Sequence, residues 1–305
     1  MQPSAPNNQM SPALWAMLLL LSLIWGGSFL FGRIAVQEIP PLTLVALRVS
    51  LAAIAIWVFI FAGRRSIAIT KWFVLNILGM SVLNNIIPFS FILYGQQEIG
   101  SGLASIVNAM TPIWTVIIAN FLTSDEKWSP RKAFGITAGF CGVAVLMGGD
   151  VWSGLQASAL AQASVLIATI SYGFAGVYGK RFKGIDPIQV AAGQLTGSSF
   201  FMAIILLVSG DAASVQLPST IAIWSVLGLA IPCTAFAYVL FFKILQSAGA
   251  TNVSLVTFLV PVSAILLGII FLNEALTPWH IGGLTLIATG LVILDGRLFH
   301  QRKLK

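Results

Sequence analysis

Charged residues are scarce in this chain of 305 residues: Asp, Glu, Lys and Arg together make up only 8% of it. An ordinary soluble domain carries about 25% charged residues, because its water-facing surface has to be largely polar. Hydrophobic residues account for 58% of the chain, and its mean hydropathy is +0.95. This composition excludes a soluble enzyme, a soluble nucleic-acid-binding domain and a disordered protein.

Cysteine and catalytic side chains are equally sparse. The two cysteines, Cys141 and Cys233, lie inside apolar runs, where they offer neither a disulfide framework nor the ligand spacing of a metal site. No His–Asp or Cys–His set can be assembled within the hydrophobic runs to support catalysis. We therefore predict no catalytic residue, no metal site, no cofactor and no enzymatic activity.

Ten hydrophobic runs divide the chain, and they predict an all-α integral membrane protein. We place them at 13–32, 42–62, 72–95, 101–122, 132–148, 157–179, 188–208, 219–242, 250–272 and 279–295. A helix of about 20 residues crosses the hydrocarbon core of a bilayer, and unpaired backbone groups are not tolerated there. The first run is predicted to be a retained helix rather than a cleaved signal peptide, because residues 1–12 contain no Lys or Arg.

The basic residues are distributed very unevenly between the two sides of these runs. Fourteen of the sixteen lie on one side, which we call the basic side: Arg64, Arg65, Lys71, Lys127, Arg131, Lys132, Lys180, Arg181, Lys183, Lys243, Arg297, Arg302, Lys303 and Lys305. Arg33 lies on the opposite side, and Arg48 lies inside the second run. Cytoplasmic loops carry the excess of Lys and Arg, so we predict that the basic side, with both termini, is cytoplasmic. Topology accounts for the net charge of +7, and no nucleic-acid partner is expected.

The same pattern occurs twice along the chain. Three segments of the first half recur in the second half at offsets of 146 to 149: Ile39-Pro40-Pro41 with Ile185-Asp186-Pro187, Gly100–Ser105 with Gly249–Ser254, and Asp125-Glu126 with Asn273-Glu274. Each half contains five runs, so the second copy starts on the other side of the membrane and is inverted. We expect a cytoplasmic tail at 1–12, a first repeat at 13–149, a second repeat at 157–296 and a basic tail at 297–305.

These features resemble a known family. The segment Trp25-Gly26-Gly27-Ser28-Phe29, the inner Arg48 and two copies of a Gly…Ala-Ser, Pro, Glu and Gly pattern resemble the drug/metabolite transporter superfamily, EamA type. The resemblance covers nearly the whole chain. It implies a multi-pass protein of the bacterial inner membrane that exports amino acids or related metabolites. It also implies a cavity lined by runs one, three, four, six, eight and nine, with runs five and ten packed behind it.

Acidic side chains are absent from the middle of every run. The nine carboxylates lie between runs or at their ends: Glu38, Glu98, Asp125, Glu126, Asp150, Asp186, Asp211, Glu274 and Asp295. The two histidines, His280 and His300, lie at a run end and in the tail. Proton relays in membrane proteins use buried Asp, Glu or His. We therefore predict transport by alternating access that has no buried carboxylate proton site and is driven by substrate gradients.

Four prolines lie inside cavity-lining runs. They are Pro88, Pro112, Pro232 and Pro261, and each frees the carbonyl four residues earlier: those of Asn84, Asn108, Gly228 and Thr257. Freed carbonyls at membrane depth are tolerated where they line a wet cavity or meet a polar partner. We predict that these kinks form the middle of the pathway and act as hinges; the alternative is that they only bend the helices.

The candidate substrate-binding residues are polar or aromatic side chains within the same runs. They are Trp25, Ser28, Asn84, Asn85, Asn108, Tyr172, Tyr238 and Thr257. Amides and aromatic rings suit a ligand with an apolar side chain and a polar head, and a ring face can hold an ammonium group. For each aromatic side chain, plain packing is the alternative.

Arg48 has two interpretations. It lies about 10 Å from the end of its run. It binds a substrate carboxylate in one interpretation; in the other, structural one, it binds backbone carbonyls freed at a kinked neighbour or snorkels outward. We favour the structural interpretation, because the second run has no expected place on the cavity wall and the repeat counterpart, Gln194, is neutral.

A single inner cation disfavours phosphorylated substrates, which need several fixed positive charges. We expect an exporter of small neutral or zwitterionic metabolites, most of all amino acids, with aromatic or other apolar ones among the candidates. Its partners would be the lipid bilayer and this small-molecule substrate, and we expect a monomer. The alternatives are a carrier for small cationic drugs in the same superfamily and, less favoured, a channel or a membrane enzyme.

Overall fold

The structure, a computed structural model, describes residues 10–124, 126, 128–146, 159–210, 217–263 and 278–295. All regular secondary structure in these ranges is helical, which confirms the predicted all-α fold. We number the helices in chain order: α1 Pro12–Ala35, α2 Pro41–Ala62, α3 Lys71–Glu98, α4 Ser101–Leu122, α5 Pro130–Leu146, α6 Ala159–Gly179, α7 Pro187–Ser209, α8 220–248, α9 250–263 and α10 Pro278–Asp295. They match the ten predicted runs in order.

Seven helical stretches in the described ranges are long and apolar enough to cross a membrane. The longest of them, Thr220–Ser254, contains Gly249 with φ 85° and ψ 173°, which no helix accommodates. This glycine therefore separates α8 from α9, as the sequence predicts from the run boundary at 250. The shorter helix α10 includes the apolar stretch Ile281–Leu294.

Some predictions concern residues outside the described ranges. They include the tail residues 1–9 and 297–305, the ends of the predicted runs at 147–148, 157–158 and 264–272, the carboxylates Asp125, Asp150, Asp211 and Glu274, and His300.

Proline and small hydroxyl or acidic side chains set the starts of several helices. Proline occupies the first turn of α1, α2 and α7, where its missing N–H leaves no hydrogen bond unmade. Ser11 caps α1 by accepting a hydrogen bond from the Leu14 N–H, Asp186 caps α7 through the Ile188 N–H, and Ser219 caps α8. The loop residues that divide the sequence into runs thus also terminate the helices.

Helices α5 and α10 pack against each other along a seam of glycines. A Cβ atom added to Gly142 would lie 2.7 Å from the Ile287 nitrogen. A Cβ atom added to Gly290 would lie 2.7 Å from both the Gly135 carbonyl oxygen and the Gly139 nitrogen. The two backbones are therefore in direct contact, and the seam is the small-residue packing that the Gly135-x-x-x-Gly139 spacing predicts.

Among the remaining helices, those of one repeat pack against those of the other. The first helix of each repeat packs against the third helix of the other, so α1 contacts α8 and α6 contacts α3. Helices α2 and α7, the second of each repeat, pack against each other. This reciprocal arrangement is that of two inverted repeats, and it confirms the predicted duplication.

Two π-helical segments, Val82–Ile86 in α3 and Ile231–Phe236 in α8, lie at equivalent places in the repeats. Proline accompanies each of them: Pro88 follows the first segment, and Pro232 lies within the second. A proline removes one backbone hydrogen bond, and a π-helical segment redistributes the neighbouring ones. The sequence predicts a kink at these places, whereas the structure has a local widening of the helix.

Candidate functional site

A cavity lies between the two repeats. The six helices predicted to line it, α1, α3, α4, α6, α8 and α9, all contribute side chains, and α2 contributes Arg48. Seven of the eight candidate binding residues line this cavity: Trp25, Ser28, Asn84, Asn108, Tyr172, Tyr238 and Thr257. The structure thus brings together side chains that are up to 232 residues apart in the sequence, from Trp25 to Thr257.

Arg48 reaches the cavity although its own helix was not expected there. Its side chain is only 7% exposed. Its Nε donates a hydrogen bond of 2.7 Å to the Thr234 hydroxyl, and its Nη2 donates one of 3.3 Å to the Ser28 hydroxyl. The Phe89 ring lies against the guanidinium, with its centroid 3.6 Å from Cζ. Among the described residues, no carboxylate forms an ion pair with Arg48.

The surroundings of Arg48 differ from the structural interpretation of the sequence. The side chain does not snorkel outward, and its hydrogen bonds go to hydroxyl groups rather than to freed backbone carbonyls. The physical reason lies in the π-helical segment of α8. Thr234 donates its own hydroxyl to the Leu229 carbonyl at 2.7 Å, so Thr234 satisfies the irregular backbone and offers its oxygen to Arg48.

On the α3 side, the Asn84–Asn85 pair occupies the other π-helical segment. The Tyr238 hydroxyl donates to the Asn84 carbonyl at 3.2 Å and also to the Asn85 side-chain oxygen. Gln194 donates to the same Asn85 oxygen at 2.8 Å, and Asn85 donates to the Ser198 hydroxyl at 2.7 Å. The carbonyl that Pro88 was predicted to free therefore meets a polar partner. Asn85 itself does not line the cavity but connects α3 to α7 behind the wall.

The Asn108 side chain is the one buried cavity-lining group with an unpartnered polar atom in the described part of the chain. It is 5% exposed, and its Oδ1 has no hydrogen-bond donor. The Asn108 backbone carbonyl, by contrast, accepts a hydrogen bond of 2.7 Å from the Thr111 hydroxyl. A buried acceptor without a partner is rare in proteins, and this one belongs to a residue of the cavity wall.

Aromatic rings cover much of the remaining wall. Tyr238 lies between Phe89, with ring centroids 6.5 Å apart, and Phe241, with centroids 6.3 Å apart. Trp25 packs on Phe241 and donates its indole N–H to the Cys233 carbonyl at 3.2 Å. Pockets for small organic ligands combine such an apolar wall with a few convergent polar groups.

Glu126 is a buried carboxylate, although the sequence places it only in the connection between two runs. It is 3% exposed and accepts hydrogen bonds from the Ala250 N–H at 3.0 Å and the Thr251 N–H at 2.9 Å, as well as from the Thr251 hydroxyl. Lys180 completes the site with an ion pair of 3.2 Å. Glu126 therefore holds the N-terminal end of α9, next to the cavity-lining Ala250, to the connection between α4 and α5.

Two signals in the sequence point to this contact. Glu126 belongs to a segment that recurs in the second half, and Gly249 precedes the nitrogens that Glu126 binds. The left-handed backbone of Gly249 and the 2.7 Å between its added Cβ and the Glu126 carboxylate explain why only glycine fits there. The repeat counterpart, Glu274, lies outside the described residues.

Gln96 is a buried polar residue of the cavity wall that the predicted set does not contain. Its amide donates to the Phe29 carbonyl at 2.9 Å, while Arg33 donates to the carbonyls of Gln96 and Gln97. These bonds connect α1 to the end of α3 on the side opposite the basic one. Within the described residues, no group of three or more His, Cys, Asp or Glu side chains forms a metal site.

Comparison with known proteins agrees with this architecture. The profile of the EamA-like transporter family matches residues 12–148 and again residues 159–294. The chain is 28% identical to the uncharacterized transporter YoaV of Bacillus subtilis, over 94% of this chain and 97% of that protein. It is 26% identical to the uncharacterized inner membrane transporter YedA of Escherichia coli, over 94% and 92% of the two chains. A solved structure superposes with a TM-score of 0.74 at 18% identity, covering 95% of this chain and 98% of that one, which shows a shared fold.

Proposed function

Because the chain belongs to the EamA-like transporter family, we propose that it exports small neutral or zwitterionic metabolites from bacterial cells, with apolar and aromatic amino acids as the main class. The observation that carries this proposal is the cavity between the repeats. It combines aromatic and aliphatic walls with a few polar groups that protein partners do not fully satisfy. Substrates of secondary transporters bind at such a repeat interface near the membrane midplane.

The lining and charge of the cavity favour this substrate class. Most of the lining residues are aromatic or aliphatic, as in pockets that hold small organic molecules. Arg48 is the one charged side chain among the described lining residues, and phosphorylated substrates need more than one cation. The positive sign of that charge also disfavours a small cationic drug.

In this proposal the four prolines act as hinges for alternating access. Pro88 and Pro232 adjoin or lie in π-helical segments, and Pro112 follows a break in α4 at residues 109–110. Pro261 lies in α9 beyond a turn at Leu255. Backbone that already departs from α-helical hydrogen bonding bends with little loss. The protein would work as a monomer in the inner membrane, with the basic side in the cytoplasm.

Counterflow in proteoliposomes tests this function. The purified protein is reconstituted and loaded with each of the twenty amino acids in turn, and uptake of the same labelled amino acid is measured. We expect saturable exchange that is fastest for apolar and aromatic amino acids. Flux that grows linearly with concentration would indicate a channel, and a complete lack of exchange would overturn the proposed substrate class.

The energy source is tested in the same vesicles. With the membrane potential clamped, a pH gradient should leave the exchange rate unchanged, because no carboxylate lies within the described part of the cavity wall. A large response of the rate to the pH gradient would contradict transport driven by substrate gradients alone. Because Glu126 is the one buried carboxylate among the described residues, the variant Glu126→Gln then shows whether this residue carries the response.

A further inference from the structure

We infer that Arg48 and Ser28 bind the carboxylate of the substrate and that the Asn108 side-chain oxygen accepts a hydrogen bond from its ammonium group. This assignment rests on the proposed function and deepens it. It makes the carrier selective for zwitterions with a free carboxylate and a free ammonium group, and it gives the bound substrate one orientation in the cavity.

The first step of the argument is the unbalanced charge. A guanidinium carries five N–H donors, and the protein engages only two of them, through Thr234 and Ser28. No described carboxylate neutralises the charge, although Arg48 is buried and only 7% exposed. A buried charge without a counter-ion is strongly unfavourable. An anion supplied by the substrate would complete the site.

The second step is the way the guanidinium is held. Thr234 binds Nε at 2.7 Å and the Phe89 ring covers one face, so the group is fixed from behind and from one side. Nη1 has no partner in the described structure, and Nη2 makes only the longer bond of 3.3 Å to Ser28. These two terminal nitrogens are the ones that bind a carboxylate in a bidentate manner. Ser28 lines the cavity and adds a hydroxyl donor for the same carboxylate.

The third step concerns the other end of the substrate. Asn108 on α4 presents an acceptor with no donor, and the wall of the same cavity contains the ring of Tyr172. An amide oxygen accepts a hydrogen bond from an ammonium group, and an aromatic face attracts its positive charge. Arg48 and Asn108 belong to different helices of the wall, so the two polar ends of a zwitterion would be bound separately. The aliphatic and aromatic remainder of the wall would hold the side chain.

The assignment is tested first on the unmodified protein. Using labelled phenylalanine in counterflow, the competitors are unlabelled phenylalanine, phenylalaninamide, which lacks the carboxylate, and N-acetylphenylalanine, which lacks the ammonium. Loss of one partner of a buried charge pair weakens binding by about thirtyfold or more, so phenylalaninamide should compete at least that much more weakly. Loss of a hydrogen bond to a charged group weakens binding by about tenfold or more, so N-acetylphenylalanine should compete more weakly by at least that factor. If phenylalanine is not a substrate, the best-transported amino acid and its amide and N-acetyl derivatives are used.

Variants then connect each preference to its residue. Arg48→Gln should lose the preference for the acid over the amide, while Arg48→Lys, which keeps the charge, should retain part of it. Asn108→Leu should lose the preference for the free amine only. Thr43→Ala is the matched control on α2, because Thr43 is buried, has an unpartnered hydroxyl and does not line the cavity.

The outcomes separate the two proposals. If the amide competes as well as the acid in the unmodified protein, or if Arg48→Gln keeps the full preference, the assignment of Arg48 is wrong while amino-acid transport stands. If no amino acid exchanges at all, the proposed substrate class fails and this assignment fails with it. Should Arg48→Gln not fold, the analogue series on the unmodified protein still decides.

Discussion

Arg48 and Gln194 occupy equivalent places in the two repeats, 146 residues apart, yet they differ in charge and surroundings. Each extends from the second helix of its repeat to the π-helical segment of the other repeat. Arg48 binds Thr234 in α8 and lines the cavity with 7% of its surface exposed. Gln194 binds Asn84 and Asn85 in α3 and is fully buried. The inverted fold determines where the side chain reaches, and the residue type determines whether it faces a ligand.

The two side chains also differ in how many of their hydrogen-bonding groups have a protein partner. The Gln194 amide uses both its oxygen and its nitrogen on the two asparagines, so each of its polar atoms has a protein partner. The Arg48 guanidinium has more donors than the protein has acceptors nearby. One contact therefore joins the repeats, whereas the other also leaves binding capacity inside the cavity. A symmetric scaffold thus acquires a chemically polarised interior.

The strongest way to break this comparison is to exchange the residue types. Gln194→Arg would place a charge in a site with no exposure and no carboxylate among its described partners, and we expect a loss of several kcal/mol in stability and little folded protein. Arg48→Gln should instead fold and still exchange amino acids, without the preference for the acid over the amide. Size-exclusion profiles and thermal melting in detergent measure both, with Gln194→Met as a neutral control of similar size. A stable, monodisperse Gln194→Arg variant would show that the two sites are interchangeable.

The second prediction extends the comparison to the basic side, where Glu126 of the first repeat binds the start of α9 in the second. Glu126→Ala removes the acceptor of two buried backbone N–H groups, which costs about 1–3 kcal/mol for each of them, and it also removes the ion pair with Lys180. We expect this end of the cavity to open more often. In a background without Cys141 and Cys233, Ala250→Cys should then react faster with an impermeant thiol reagent added on the basic side.

Glu126→Gln provides the matched control for this experiment. The amide keeps the shape and one acceptor oxygen but removes the charge that pairs with Lys180. An intermediate labelling rate is expected. Equal labelling in all three proteins would mean that Glu126 does not hold the basic-side end closed.

The third prediction compares the repeat-related kinks in α4 and α9. Replacing Pro112 and Pro261 together by Ala restores two backbone N–H donors and should stiffen both helices. We expect transport to slow by about tenfold, a loss of roughly 1.4 kcal/mol in transition-state stabilisation, with normal expression and membrane insertion. Each single variant should show a smaller effect than the double variant. Unchanged flux in the double variant would leave the prolines as static bends.

The smallest expected effect concerns the connections that precede the second helix of each repeat, which contain Glu38 and Asp186. Asp186 caps its own helix, whereas Glu38 accepts hydrogen bonds from Ser219, at the start of α8 in the other repeat. The backbone N–H and the hydroxyl of Ser219 lower the pKa of the Glu38 carboxyl from its ordinary value of 4.5. A lowered pKa means that the charged form is bound more favourably in the folded protein.

The pH dependence of stability follows directly from this shift. The contribution of Glu38 is fully present above the ordinary pKa and is lost as the pH falls through the lowered one. We expect the melting temperature of Glu38→Gln to lie slightly below that of the unmodified protein near neutral pH and to converge with it in acid. A difference that stays constant throughout the acid range would exclude this carboxyl as the cause.

The sequence predicts the fold well, because the signals that carry it are long and repeated. Ten apolar runs, the uneven distribution of Lys and Arg and the offsets of 146 to 149 depend on many residues each. The cavity-lining residues follow from the same reasoning, since inner polar side chains in a membrane helix have few places to go. Seven of eight candidates therefore line one cavity, while Asn85 lies one helical position away and faces α7.

The parts that sequence reasoning missed depend on single contacts between distant residues. Nothing in α2 alone indicates that Arg48 passes between α1 and α8, because this depends on Thr234 in a π-helical segment. Likewise, a carboxylate in a connection between helices is ordinarily solvated. The burial of Glu126 depends on the left-handed backbone of Gly249 in another helix. The registers of neighbouring helices, which such contacts require, are not encoded in any one run.

The π-helical segments have a consequence for motion. Each contains one more residue per hydrogen-bonded ring than an α-helix does. If that surplus residue migrates along α3 or α8, the stretch it passes turns by about 100° and advances by about 1.5 Å. Asn84 and Thr234 would then rotate relative to the cavity while both ends of each helix stay anchored. A screw motion of this kind would let the interior present different side chains to the two sides of the membrane without tilting either bundle.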